Sequence, residues 1–113
     1  MKVEGLSSPL WVVLVTAPKD RAEGLARALV EQRLAACVNV LPAVRSYYRW
    51  EGRLEEADEV LLLIKTTAEG YLALEDGVRA LHPYDVPEVV ALPASAVFAP
   101  YAAWVAENVG GAS

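Results

Sequence analysis

Two spacings of apolar residues alternate along this chain, and together they lay out its elements. Leu10-Trp-Val-Val-Leu-Val-Thr16 is a continuous apolar and β-branched run, the pattern of a strand covered on both faces. Ala17-Pro-Lys19 interrupts it. Ala22, Leu25, Ala26, Leu29 and Val30 then recur at three- and four-residue steps, which predicts an amphipathic helix from Asp20 to about Arg33. Asp20 with Glu23 resembles a capping box at its start. Val38 to Val44 reads as a strand with Val38, Val40 and Val44 on one face, and Pro42 marks a bulge, bend or edge in it. Extended character continues to Trp50, Glu51-Gly52 offers a two-residue turn, and a third strand runs from Arg53 to Thr66. Thr66 with Glu69 repeats the capping-box pattern, and Tyr71, Leu74, Val78 and Leu81 form one helical stripe that His82-Pro83 ends. Val89 to Leu92 is a fourth strand between Pro87 and Pro93. Pro100 opens a short last helix through Tyr101, Trp104 and Val105, closed by Gly110-Gly111. Residues 1–8 show no periodicity and read as a loose lead-in.

The order β-α-β-β-α-β, followed by an extra helix, is the ferredoxin-like split βαβ arrangement of the α+β class. It predicts one domain over residues 1–113, with two helices on one face of a four-stranded antiparallel sheet. The central hairpin is the unusual element. With Glu51-Gly52 as its loop, Trp50 faces Arg53, Tyr48 faces Glu55, and Arg45 faces Asp58 as an opposite-charge pair. A bulge at Pro42 shifts every pair beyond it. Each arm spans about 13 residues, roughly 43 Å at ~3.3 Å per residue, where ordinary strands have ~5–6. The distal half, carrying Tyr47, Tyr48 and Trp50, therefore overhangs the helices, and exposed aromatics on an open edge call for a covering subunit. The sequence predicts an oligomer.

Composition narrows the function. Apolar residues make up 55% of the chain, enough for one packed core. The longest apolar runs fall far short of the ~20 residues that span a bilayer, so no membrane association is expected and the reading is cytoplasmic. A net charge of −5 argues against a nucleic-acid partner. The single Cys37 excludes a disulfide framework and a four-cysteine zinc site within one chain. Few Asn and Gln residues, and more Arg than Lys, are compatible with a thermophilic source or a GC-rich genome.

Several stretches together resemble the CutA family of divalent-cation tolerance proteins. They are Gln32-Arg-Leu-Ala-Ala-Cys-Val-Asn39, Tyr48-Arg-Trp-Glu-Gly52, the run from Glu59 ending in Ile64-Lys-Thr66, and His82-Pro-Tyr-Asp-Val-Pro-Glu88, with Tyr101 and Trp104 in the last helix. The likeness extends from about Leu10 to Val109. It implies a ferredoxin-like protomer in a homotrimer with clasping hairpins, similar to PII signalling proteins that bind small ligands between subunits. It also implies a role in metal tolerance, with copper binding proposed, and no enzymatic reaction. In some relatives a cysteine precedes the segment that is Thr16 to Pro18 here, and a second histidine precedes the His-Pro-Tyr motif. This chain has Val15 and Leu81 at those places, so only His82 of that set is present.

The chemistry-bearing residues each have a bland and a functional reading. His82, the sole histidine, is either a capping imidazole at a helix C-terminus or a metal ligand. Cys37 suits a soft metal but more often packs as a small buried hydrophobe. Glu59 and Glu88 are candidate oxygen ligands for a hard divalent cation. Lys65, Tyr84 and Asp85 are candidates for a ligand cleft, with Lys65 placed to meet a small anionic ligand. Alternatively, Glu59 and Lys65 form an ion pair between subunits. Tyr47, Tyr48, Trp50 and Trp104 read as trimer-interface anchors. No Ser/Cys–His pairing, P-loop or HExxH motif is present, so a binding protein is expected rather than an enzyme. A trimeric scaffold for a partner protein is the alternative.

Overall fold

The computed structural model describes residues 9–110, so the lead-in predicted for residues 1–8 lies outside it. In chain order the elements are β1 (Leu10–Ala17), α1 (Lys19–Glu31), β2 (Cys37–Trp50), β3 (Arg53–Thr67), α2 (Tyr71–Leu81), β4 (Val89–Pro93) and α3 (Ala99–Glu107). The four strands form one antiparallel sheet in the order β2-β3-β1-β4, the ferredoxin-like arrangement that the pattern predicts.

Strand alternation assigns the two faces. Val13, Val15 and Ala17 of β1, with Val60, Leu62 and Ile64 of β3, point to one side and are buried. There they meet Ala22, Leu25 and Leu29 of α1 and Leu74 and Val78 of α2 in the main core. Every residue of the predicted helical stripes that lands in this core lost water-exposed apolar area. Each fully buried Leu or Val contributes about 1.5–3 kcal/mol relative to exposure. The other face carries Val12, Leu14 and Thr16 of β1 and Leu61 and Leu63 of β3. Helix α3 covers one end of it through Val105, packed with Leu10, Ala36 and Val12. Among the described residues no helix covers the remainder of that face.

The hairpin tip is as predicted. Glu51 (φ 52°) and Gly52 (φ 79°) both take positive φ, the conformation of the tight primed turn that follows the strands' right-handed twist. Trp50 pairs with Arg53, Tyr48 with Glu55 and Arg45 with Asp58. Between Leu41 and Val44 the register slips, with Pro42 and Ala43 on β2 set against Val60 alone on β3. Pro42 supplies no N–H there, and Ala43 takes φ 68° to accommodate the extra residue. This bulge corrects one expectation. Val38 and Val40 share the helix-covered face, because they pair with Ile64 and Leu62, whereas Val44 pairs with Glu59 and lies on the opposite face.

Both predicted capping boxes are replaced. Pro18 is the N-cap of α1 and makes no side-chain cap, so the helix begins at Lys19 and Asp20 sits inside its first turn. There its charge still complements the helix dipole. Gly70 is the N-cap of α2. Thr66 belongs to β3, and its buried hydroxyl donates to the Leu34 carbonyl at 3.0 Å. The Gly70 N–H instead donates to the Thr67 hydroxyl at 3.0 Å.

Beyond Val60 the strand β3 loses β1 as a neighbour and pairs with β2 alone. The segments Val44–Trp50 and Arg53–Glu59 thus form the two-stranded overhang, and the molecule measures 49 × 31 × 22 Å. Tyr47, Tyr48 and Trp50 are 61%, 43% and 46% exposed on it, too much apolar surface to leave wet on a two-stranded ribbon. No helix among the described residues is long and apolar enough to cross a membrane.

Candidate functional site

A cleft of about 680 Å³ opens where the overhang leaves the sheet. Its floor is the end of β1 at Thr16, one wall is the hairpin with Ser46, Tyr48, Trp50 and Glu59, and the other is the loop Tyr84–Glu88. Sequence builds each wall. Pro83 stops α2 and sends the chain across the sheet edge toward β4. The bulge turns Val44, Ser46, Tyr48 and Trp50 onto the face of Glu59, and turns Arg45 and Arg49 to the other face. On that other face Arg45 pairs with Glu56 at 2.8 Å and Asp58 at 3.1 Å.

Glu59 is the buried polar centre of the cleft, only 5% exposed. The Tyr84 hydroxyl donates to its Oε2 at 2.8 Å. Burial pushes the Tyr84 phenol up to about 12, and the hydrogen bond to Glu59 and the charges of Glu59, Tyr48 and Asp20 add to the shift. Asp85 and Glu88 place two further carboxylates on the rim. No Lys, Arg or His stands among the lining residues.

His82 lies behind this wall rather than in it. It is the C-cap of α2, and its backbone N–H donates to Val78 at 2.8 Å. Its ring is buried and turned inward. Nδ1 accepts from the Tyr84 N–H at 3.1 Å, which leaves the ring proton on Nε2, placed 2.7 Å from the Thr16 carbonyl. The imidazole therefore fixes the first residue of the cleft loop to the end of β1, and both its nitrogens have backbone partners. Among the described residues no group of three or more His, Cys, Asp and Glu is placed to hold one metal ion.

Lys65 is not brought to the cleft. It sits six residues along β3 from Glu59, roughly 20 Å at ~3.3 Å per residue, and its ammonium donates to the Asn39 side chain. Across the ladder it pairs with Cys37, toward the α3 end of the open face. Burial and the nearby Cys37 thiol push the Tyr101 phenol upward. Tyr101 and Trp104 stack at 5.7 Å between ring centroids. The aromatic candidates thus form two separate patches, one on the hairpin and one on α3. Of the sequence-predicted residues, Glu59, Tyr84, Asp85, Glu88, Tyr48 and Trp50 converge on one cleft, Tyr47 borders it with its ring beside Arg45 on the other face of the ribbon, His82 backs it, and Lys65 and Trp104 lie elsewhere. Thr16, Ser46, Val86 and Pro87 also line the cleft and were not among the sequence candidates. Ser46 was within reach, since it alternates with Tyr48 once the bulge is counted.

This fold and these segments meet an established pattern. The profile of the CutA1 divalent ion tolerance protein family matches residues 11–108. The chain belongs to the CutA1 family. It is 51% identical over 100 residues to the divalent-cation tolerance protein CutA of Thermus thermophilus, covering 88% of this chain and 97% of that one. Against human Protein CutA the identity is 51% over 92 residues, 80% of this chain and about half (51%) of the human protein. The solved Thermus thermophilus structure superposes with a TM-score of 0.86 over 89% of this chain and 99% of that one. A solved protein from Nostoc sp., described as a PII-like protein CutA, gives 0.85 at 33% identity, over 88% of this chain and 97% of that one. The matched span includes every cleft residue, from Thr16 to Glu88, and the hairpin and α3 aromatics Tyr47, Tyr48, Trp50, Tyr101 and Trp104.

Proposed function

We propose that this CutA1 chain is a non-enzymatic, cytoplasmic homotrimer that binds small ligands at its hairpin-root clefts and acts in divalent-cation tolerance or PII-like signalling. The observation that carries the reading is the cleft itself. A buried carboxylate with a single hydroxyl partner and the rings of Tyr48, Trp50 and Tyr84 converge at the root of the long hairpin, with no histidine or lysine in the lining to activate the Ser46 or Thr16 hydroxyl. Trimer formation is supported by the uncovered sheet face and by the aromatic patches. Val90 and Leu92 are 44% and 49% exposed beside Leu14, Leu61 and Leu63. The hairpin patch and the α3 patch differ, as head-to-tail contacts that close a ring require.

A divalent metal fits this single chain poorly. Hard cations take six or more oxygens and softer ones three or four converging nitrogen or sulfur donors. Here His82 is held by backbone partners, and the acidic groups of the cleft make no such set. Any metal cage would need donors from a neighbouring subunit. Equilibrium dialysis or calorimetry with Cu²⁺, Zn²⁺, Mn²⁺ and common nucleotides tests the reading. Binding tighter than about 1 mM that weakens in Glu59→Ala is expected, and no binding below that limit contradicts it.

A further inference from the structure

Glu59 presents an unsolved electrostatic problem. The residue is 5% exposed, and among the described residues its carboxylate has one hydrogen-bond partner, the neutral Tyr84 hydroxyl, and no ion pair. Burying a carboxylate without a cation is costly, so buried charges in folded proteins are paired. The surroundings make the deficit worse. Asp85 and Glu88 stand on the same cleft, and Asp20 acts on Tyr84 from the start of α1. The bulge has meanwhile sent Arg45 and Arg49 to the other side of the ribbon.

We propose that a small organic cation, an ammonium or guanidinium head on an apolar body, occupies this cleft with its charge on Glu59 and its body against the rings of Tyr48, Trp50 and Tyr84. This inference rests on the reading of the cleft as a ligand site and names the class of ligand. The lining chooses among classes. Three carboxylates without a basic side chain disfavour an anion such as a nucleotide. A bare divalent ion finds no converging donor set and would leave most of about 680 Å³ unfilled. A neutral ligand leaves Glu59 uncompensated. An organic cation satisfies all three constraints, since aromatic faces attract its charge while their area covers its carbon. The cavity volume is in the range of small-molecule sites.

The test titrates the purified full-length protein with choline and with its uncharged isostere, in which carbon replaces the quaternary nitrogen. Mn²⁺ and ATP serve as the metal and anion arms, and calorimetry and tryptophan fluorescence as readouts. Choline is expected to bind tighter than about 1 mM, and the isostere at least about tenfold more weakly, as loss of the positive charge against aromatic faces and a carboxylate implies. Glu59→Gln, which keeps an oxygen for Tyr84, should lose a similar factor, and Trp50→Ala on the exposed ribbon should lose severalfold even if the buried variant folds poorly. Equal binding of the isostere overturns the proposal. So does binding of Mn²⁺ or ATP in the cleft with choline silent, which leaves the ligand-site reading intact. Choline binding that appears only in Lys65→Ala assigns the counter-charge to a neighbouring subunit's lysine and also overturns it. Silence of every probe overturns both readings.

Discussion

At the residue scale the account turns on the Tyr84–Glu59 hydrogen bond. A Tyr84 phenol raised from 10.0 to about 12 means that the folded state holds this proton more tightly than the unfolded chain does. The associated stabilisation is fully present below pH 10.0 and is lost as the pH rises through about 12. Phenolate absorbance should therefore show a step near pH 12 that Tyr84→Phe removes and Glu59→Gln moves down. A Tyr84 that titrates like a free phenol would break the link between burial, hydrogen bond and site. Residue identity was the part of the site most legible in the sequence. Glu59, Tyr84, Asp85 and Glu88 were legible as the polar candidates of the segments Glu59–Thr66 and His82–Glu88, and they line one cleft. The role of His82 was less so, because its ring partners, the Thr16 carbonyl and the Tyr84 N–H, are backbone groups that no side-chain pattern announces. Lys65 was read as a cleft residue from its place at the end of a buried strand beside Thr66. Its distance along β3 from Glu59 is what separates them.

Among the elements, the bulge and the end of α3 carry the most specific expectations. Ala43 is held at φ 68°, a conformation that costs an L-residue roughly 1–2 kcal/mol and glycine little. Ala43→Gly should therefore raise unfolding stability by about 1 kcal/mol without changing the cleft, measured by denaturant midpoint at constant slope. A loss of stability would mean that the side chain supports the register slip. Arg33 (φ 60°) closes the opposite end of the fold. Its guanidinium donates to the carbonyls of Glu107 and Gly110, both at 2.8 Å, and its own carbonyl accepts from the Gly110 N–H at 2.7 Å. One of these bonds satisfies the Glu107 carbonyl at the end of α3, whose own last turn holds no basic residue, and the other two fix the Gly110 that follows the helix. Arg33→Ala should cost about 1–3 kcal/mol and speed amide exchange in α3 before the sheet. Unchanged protection of α3 would refute the clasp.

Element type and order followed from apolar spacing, because α1, α2 and the strands each bury one clear stripe. Their starts did not. Pro18 and Gly70 open the helices with backbone geometry, and the Asp20/Glu23 and Thr66/Glu69 pairs mimic a cap they do not form. The bulge was signalled by Pro42, but its consequence, moving Val44 to the face of Glu59, depends on pairing that alternation along one strand cannot contain.

For the whole molecule, the long hairpin and the bare sheet face are one argument. A two-stranded ribbon with half-exposed Tyr48 and Trp50, and a sheet face carrying exposed Val90 and Leu92, both leave apolar area in water. Among the described residues only α3 packs on that face, and it covers the Leu10–Val12 end. The cleft opens beside the same ribbon, so the proposed trimer bears on the ligand site as well. Light scattering coupled to size exclusion at micromolar concentration tests this most directly. The account predicts a single species at three times the 12.2 kDa chain mass. A stable monomer would contradict it, since the ribbon aromatics and the open face would then be exposed without cause.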